Sequence, residues 1–131
     1  MIKFNNDSNS ITKNNNQNTQ IDKKKVLNMV NDFGIKNNII VSIKNILSDY
    51  PVEKAYLYGS RARGDYNNTS DIDIAVKGKT IDSTKVNLII NDLELLDTAL
   101  TFDVVNFNDL GKKELKDNIS KEGVKIYDNS K

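Results

Sequence analysis

The spacing of apolar residues changes character at Pro51, and that change restricts the chain to folds that combine helices with a sheet. Before it, Ile39, Ile40, Ile43, Ile46 and Leu47 recur at intervals of one helical turn, as on a helix with one buried face. Pro51 stops this helix by Tyr50, because the residue before a proline avoids the helical region. After it, Val52, Ala55, Tyr56, Leu57 and Tyr58 read as a strand, with two aromatics favouring β structure. Asp71 to Val76 then alternates acidic with apolar residues, the period of a strand with two unlike faces. An earlier helix is predicted from Asp22 as N-cap through Val26, Met29, Val30 and Phe33, ended by Gly34 as a left-handed C-cap. Val86, Ile89, Ile90, Leu93 and Leu96 mark another helix, capped by Asp82 or Ser83, and Thr101 to Phe107 is a third strand. Asn108 or Asp109 caps a last helix that turns Leu115 and Ile119 inward and ends at Gly123. Val124, Ile126 and Tyr127 pack back as a short extended tail. The order helix, helix, strand, strand, helix, strand, helix specifies an α/β (α+β) domain built on a small sheet.

The first twenty residues stand apart. They hold seven asparagines and only four apolar residues, Met1, Ile2, Phe4 and Ile11, without any period. Residues 1–20 are therefore expected to be a disordered Asn-rich tail, and residues 21–131 one domain. Residues 21–131 balance 17 basic against 17 acidic side chains, so the basic excess of a broad nucleic-acid-binding surface is missing and no direct nucleic-acid binding is expected. With no cysteine, disulfides, thiolate metal sites and cysteine nucleophiles are excluded. With no histidine, the commonest general base and transition-metal ligand is excluded as well. No apolar run approaches the ~20 residues of a bilayer span, and the polar start lacks the apolar stretch of a secretory signal. A soluble, cytoplasmic protein is expected.

Three features carry chemistry. Gly59-Ser60 follows a strand directly, where a glycine lets the backbone approach a ligand and the next turn can direct N–H groups at an anion; an ordinary turn has the same appearance. Arg61 and Arg63 come next, the two arginines of a chain with 19 basic residues. A planar fork of donors suits phosphate in a way that lysine does not match, although chance placement in a lysine-rich composition is the plainer explanation. Asp71 and Asp73 lie two apart on a strand and so project from one face, while Ile72 and Ile74 point into the core. Like charges held that close repel unless a cation lies between them. All-oxygen ligands suit Mg²⁺ or Mn²⁺ rather than zinc, and a solvated strand face is the alternative. Asp103 is embedded in the apolar run Phe102 to Val105, where a carboxylate needs a metal, a lysine partner or an edge position.

Together these residues form Gly59-Ser60, ten intervening positions, then Asp71, one residue and Asp73, with Asp103 on a later strand. The string GSRARGDYNNTSDIDIAV strongly resembles the motif of the minimal nucleotidyltransferases of the DNA polymerase β-like superfamily, and the likeness runs from about Ile35 to Tyr127. The resemblance implies a nucleotidyltransferase fold, a small mixed β-sheet flanked by helices. It implies that Gly59 and Ser60 hold the triphosphate of ATP. Asp71 and Asp73 would bind two Mg²⁺ ions, and Asp103 would complete the site. Arg61 and Arg63 are assigned to phosphate as well, with bracing of the loop an equal alternative for Arg63. Asp65 and Tyr66 are assigned to loop structure.

Relatives that modify small molecules or RNA carry an extra substrate domain, for which this chain has no residues to spare. The form it most resembles is the one paired with a helical HEPN-type protein as antitoxin to a toxin, which implies transfer of AMP from ATP to a tyrosine of that partner. Two other readings stay open: an antitoxin or complex subunit that neutralises its partner by binding alone, and a stand-alone small-molecule nucleotidyltransferase.

Overall fold

The computed structural model describes residues 22–130, so the expected tail over residues 1–20 lies outside the described residues. Ten short elements follow one another: α1 (Lys23–Asn28), α2 (Asn37–Leu47), β1 (Lys54–Tyr58), α3 (Ser60–Arg63), β2 (Ile72–Lys77), α4 (Ser83–Glu94), β3 (Phe102–Asn106), a 3₁₀ turn (Phe107–Asp109), α5 (Lys113–Glu122) and β4 (Val124–Asp128). The four strands make one sheet in the order β3-β2-β1-β4. β1 runs antiparallel to both β2 and β4, whereas β2 and β3 are parallel. A parallel pair needs a crossover, and α4 supplies it. The mixed α/β architecture is the one the residue pattern predicts, and the extended tail after Gly123 is a full member of the sheet.

One face of the sheet builds the core. Ala55 and Leu57 of β1, Ile72, Ile74 and Val76 of β2, Val104 of β3 and Ile126 of β4 pack against Ile39, Ile43 and Leu47 of α2 and against Ile89 and Leu93 of α4. α4 starts on an N-cap in which Asp82 accepts the Lys85 N–H at 2.9 Å, as the sequence suggests. The other face is divided. Beside its lower half, Ile119 of α5 and Phe107 line a small cavity together with Tyr56 and Lys77, with Lys77 Nζ 4.9 Å from the centre of the Phe107 ring. Its upper half carries Tyr58, Asp73 and Asp103 and is open.

The structure corrects two predicted boundaries. Asp22 does cap α1 by accepting the Lys25 N–H, but the helix stops at Asn28 instead of running to Phe33. Val26, Met29 and Val30 are exposed, so among the described residues no packing rewards their helical spacing. The Asn31 side chain accepts from the N–H groups of Phe33 and Ile35, which offers the backbone a turn instead. Gly34 is thus not a helix cap but part of that turn. Its φ is +71°, and a Cβ there would lie 2.5 Å from the Tyr66 ring. The last helix starts at Lys113 rather than after Asn108 or Asp109, because Asn106 caps the 3₁₀ turn by accepting the Asn108 N–H.

Candidate active site

The turn from β1 into α3 sets one wall of the open half-face. Gly59 has φ +75°, a region in which L side chains are strained, and a Cβ there would fall 2.4 Å from Asp73 Oδ2. Glycine is therefore required twice over, by the backbone and by the carboxylate that packs on it. Ser60 opens α3, whose single turn closes through Arg63 N–H to Gly59 O at 3.1 Å and Gly64 N–H to Ser60 O at 2.9 Å.

Strand register brings the acidic residues to one side. Tyr58 pairs with Asp73 across the antiparallel β1–β2 ladder, and Asp73 pairs with Asp103 across the parallel β2–β3 ladder. Asp71 precedes the first ladder residue of β2 and stands two positions from Asp73, at the same end of the strand. It accepts a hydrogen bond from the Thr101 hydroxyl, the residue that precedes β3. The charges are felt. Burial, then the negative charges of Asp103 and Asp71, push the Asp73 carboxyl above the usual carboxylate range, against a smaller opposing effect of Arg63. Burial and the charges of Asp103 and Asp73 likewise push the Tyr58 hydroxyl up to about 12.

The donor set is all carboxylate oxygen, which suits hard divalent ions, and the mutual repulsion around Asp73 is the kind a cation relieves. The side chains fit such a group by chemistry and by sidedness. They are not closed around one point, since among the described residues no group of three carboxylates is drawn together tightly enough to enclose an ion. A cleft of about 620 Å³ is lined by Val30, Gly34, Asn38, Asp97 and Leu100 among others, and none of the three carboxylates lines it.

The two arginines part company. Arg61 is 1 % exposed. Its guanidinium donates to four backbone carbonyls, those of Ser70 (3.0 Å), Phe33 (2.9 Å), Gly34 (3.2 Å) and Asn67 (3.5 Å). It also lies 4.9 Å from the centre of the Tyr66 ring. The expected role of Arg61 on phosphate is corrected accordingly: its guanidinium is buried and joins the 33–34 turn to the 67–70 loop. Arg63 is half exposed and pairs with Asp65 at 3.2 Å and more loosely with Glu122 at 3.9 Å. Its charge reaches Asp73, so it is the arginine still able to meet an anion. Asp65 and Tyr66 serve the loop, as expected. Tyr58 and Thr101 were legible only as strand residues, yet a simple rule would have marked Thr101: it lies two positions before Asp103, hence on the same face.

The family described as polymerase beta, nucleotidyltransferase matches residues 41–131. No curated protein matches the chain. Among solved structures, a chain of a toxin–antitoxin crystal structure with AMP-PNP is 26 % identical, with a TM-score of 0.58 over 69 % of this chain and 73 % of that one. A chain of a mutant toxin–antitoxin MntA-HpeT is 25 % identical, with a TM-score of 0.57 over 72 % and 74 %. The toxin–antitoxin MntA-HepT shares the fold at 23 % identity, with a TM-score of 0.54 over 70 % and 72 %.

Proposed function

This chain belongs to the polymerase beta nucleotidyltransferase family, and from that premise we propose that it transfers AMP from ATP to a tyrosine of a helical HEPN-type partner, as that partner's cytoplasmic antitoxin. The observation that carries the reading is the parallel register that pairs Asp103 with Asp73, beside a glycine that packs on the Asp73 carboxylate. The likeness to a toxin–antitoxin chain solved with AMP-PNP supports both an adenine nucleotide and a toxin partner.

In this reading Asp71, Asp73 and Asp103 would hold two Mg²⁺ ions. When bound, Mg²⁺ polarises the phosphoryl oxygens, lowers the pKa of the attacking hydroxyl and stabilises the leaving pyrophosphate. The Gly59-Ser60 turn receives the triphosphate, since the missing Cβ leaves the backbone open to close approach. Arg63 adds a positive charge at the same end of the sheet. The acceptor oxygen forms a bond to the α-phosphorus, the α–β bridging bond breaks, and the hydroxyl proton leaves to solvent. A tyrosine hydroxyl has an ordinary pKa near ~10, so it needs this activation at neutral pH.

Incubating the purified partner with this protein, ATP and MgCl₂ should add the mass of one AMP to a partner tyrosine. Asp71→Asn combined with Asp73→Asn should abolish that mass and release the toxin from neutralisation. A partner that stays unmodified in a verified complex, and stays neutralised by the double variant, would instead identify a binding-only antitoxin.

A further inference from the structure

We infer that Thr101 is a positioning residue that holds the Asp71 carboxylate at the cation-binding edge of the sheet. The two neighbouring carboxylates, Asp71 just before β2 and Asp73 within it, are held by different means. Asp73 is inside the sheet, paired with Tyr58 on one side and with Asp103 on the other, and it is walled in by Gly59. Asp71 lies one residue before the ladder begins and is exposed, so the sheet does not set the direction of its side chain. Thr101 occupies the equivalent place before β3. Its carbonyl accepts the Ile72 N–H at 2.8 Å, and its hydroxyl donates to Asp71 Oδ1. One residue therefore fixes the strand start through its backbone and the carboxylate through its side chain.

The need for such a tether follows from charge. Asp71 and Asp103 both act electrostatically on Asp73, and an untethered exposed carboxylate relaxes such repulsion by turning toward water. A hydroxyl donor opposes that turn. Thr101 is itself exposed, with water as an alternative partner, so the bond contributes little to folding. Its consequence is orientation. Groups that hydrogen-bond to a metal-ligating carboxylate are worth roughly 10–100-fold in metal affinity or activity.

The inference rests on the reading of Asp71 as a cation ligand, and the test separates the two. Mn²⁺ affinity is measured in the presence of AMP-PNP, without any acceptor, for the wild-type protein, Thr101→Val, Thr101→Ser and Asp71→Asn. Thr101→Val keeps the shape and the backbone bond but lacks the hydroxyl. It should weaken Mn²⁺ about 10-fold with an unchanged melting temperature, Thr101→Ser should restore wild-type affinity, and adding Thr101→Val to Asp71→Asn should cost nothing more. A Thr101→Val protein that binds Mn²⁺ as the wild type does overturns the inference. So does a loss that Thr101→Ser fails to rescue, or an Asp71→Asn protein with full Mn²⁺ affinity. If the predicted Mn²⁺ pattern holds while the wild type transfers nothing to its partner, the positioning role stands and the proposed transfer reaction falls.

Discussion

The two faces of β2 obey opposite rules. On one, Ile72, Ile74 and Val76 are completely buried against α2 and α4, so each side chain contributes through packing and area removed from water. On the other, Asp73 is partly buried among like charges that raise its proton affinity, so ionising it at neutral pH costs the fold free energy. Ile74 stabilises the protein, whereas an ionised Asp73 is tolerated by it. A strand whose unfavourable side chains all gather on one face, next to a glycine that admits one of them, is a strand whose second face has work other than folding.

Substitutions on the two faces should therefore separate activity from stability. The largest effect is expected from Asp73→Asn, which should lower transfer by about 1,000-fold, or about 4 kcal/mol in barrier. Its melting temperature should be equal to or above that of the wild type: a carboxyl whose folded pKa is raised above its ordinary value subtracts stability once pH exceeds that ordinary value. A clear loss of thermal stability would break the contrast. Ile74→Ala should do the reverse, costing about 2–5 kcal/mol in urea unfolding for the cavity it leaves, with the ligand face chemically unchanged. Arg61→Ala should resemble Ile74→Ala more than Arg63→Ala, at about 3 kcal/mol, because it removes a buried side chain and strands partly buried carbonyls of two loops. Arg63→Ala should cost under about 1 kcal/mol in the same assay, since its pairs are exposed, and should raise the KM for ATP instead.

The smallest effect sharpens the comparison by pH. Tyr50, between the core helices, donates to Asp92 at 2.5 Å, and that bond together with burial and the Asp92 charge pushes its hydroxyl up to about 12. The stabilisation belongs to the protonated phenol, so it is complete below the ordinary pKa near ~10 and disappears as pH rises toward 12. Tyr50→Phe should lower the melting temperature slightly at pH 8, and the gap to the wild type should close by pH 12. A gap that persists there would assign the effect to packing.

Legibility differed between elements for identifiable reasons. α2, α4 and β2 are legible in the sequence because each buries a full apolar stripe, and burial is what periodicity reports. α1 is shorter than predicted because Val26, Met29 and Val30 have helical spacing but stay exposed among the described residues, while the Asn31 side chain offers a competing turn. Arg61 and Arg63 look alike in the sequence, and only the chain's path separates them: the 33–34 turn returns over α3 and takes one guanidinium inside.

What the residues determined alone is local: that Asp71 and Asp73 stand two positions apart at one end of a strand, that Gly59 ends the preceding strand, and that no histidine or cysteine is available for the chemistry. Periodicity and composition act over a few positions and need no fold to be read. The tertiary structure decided what joins distant positions. It set β3 parallel to β2 in the register that puts Asp103 beside Asp73, brought the Thr101 hydroxyl to Asp71, and placed Arg61 in a cage of carbonyls. Those outcomes depend on which strands pair and in which register, and pairing is settled by the burial of the whole opposite face of the sheet, a property of the assembled core that no short segment contains.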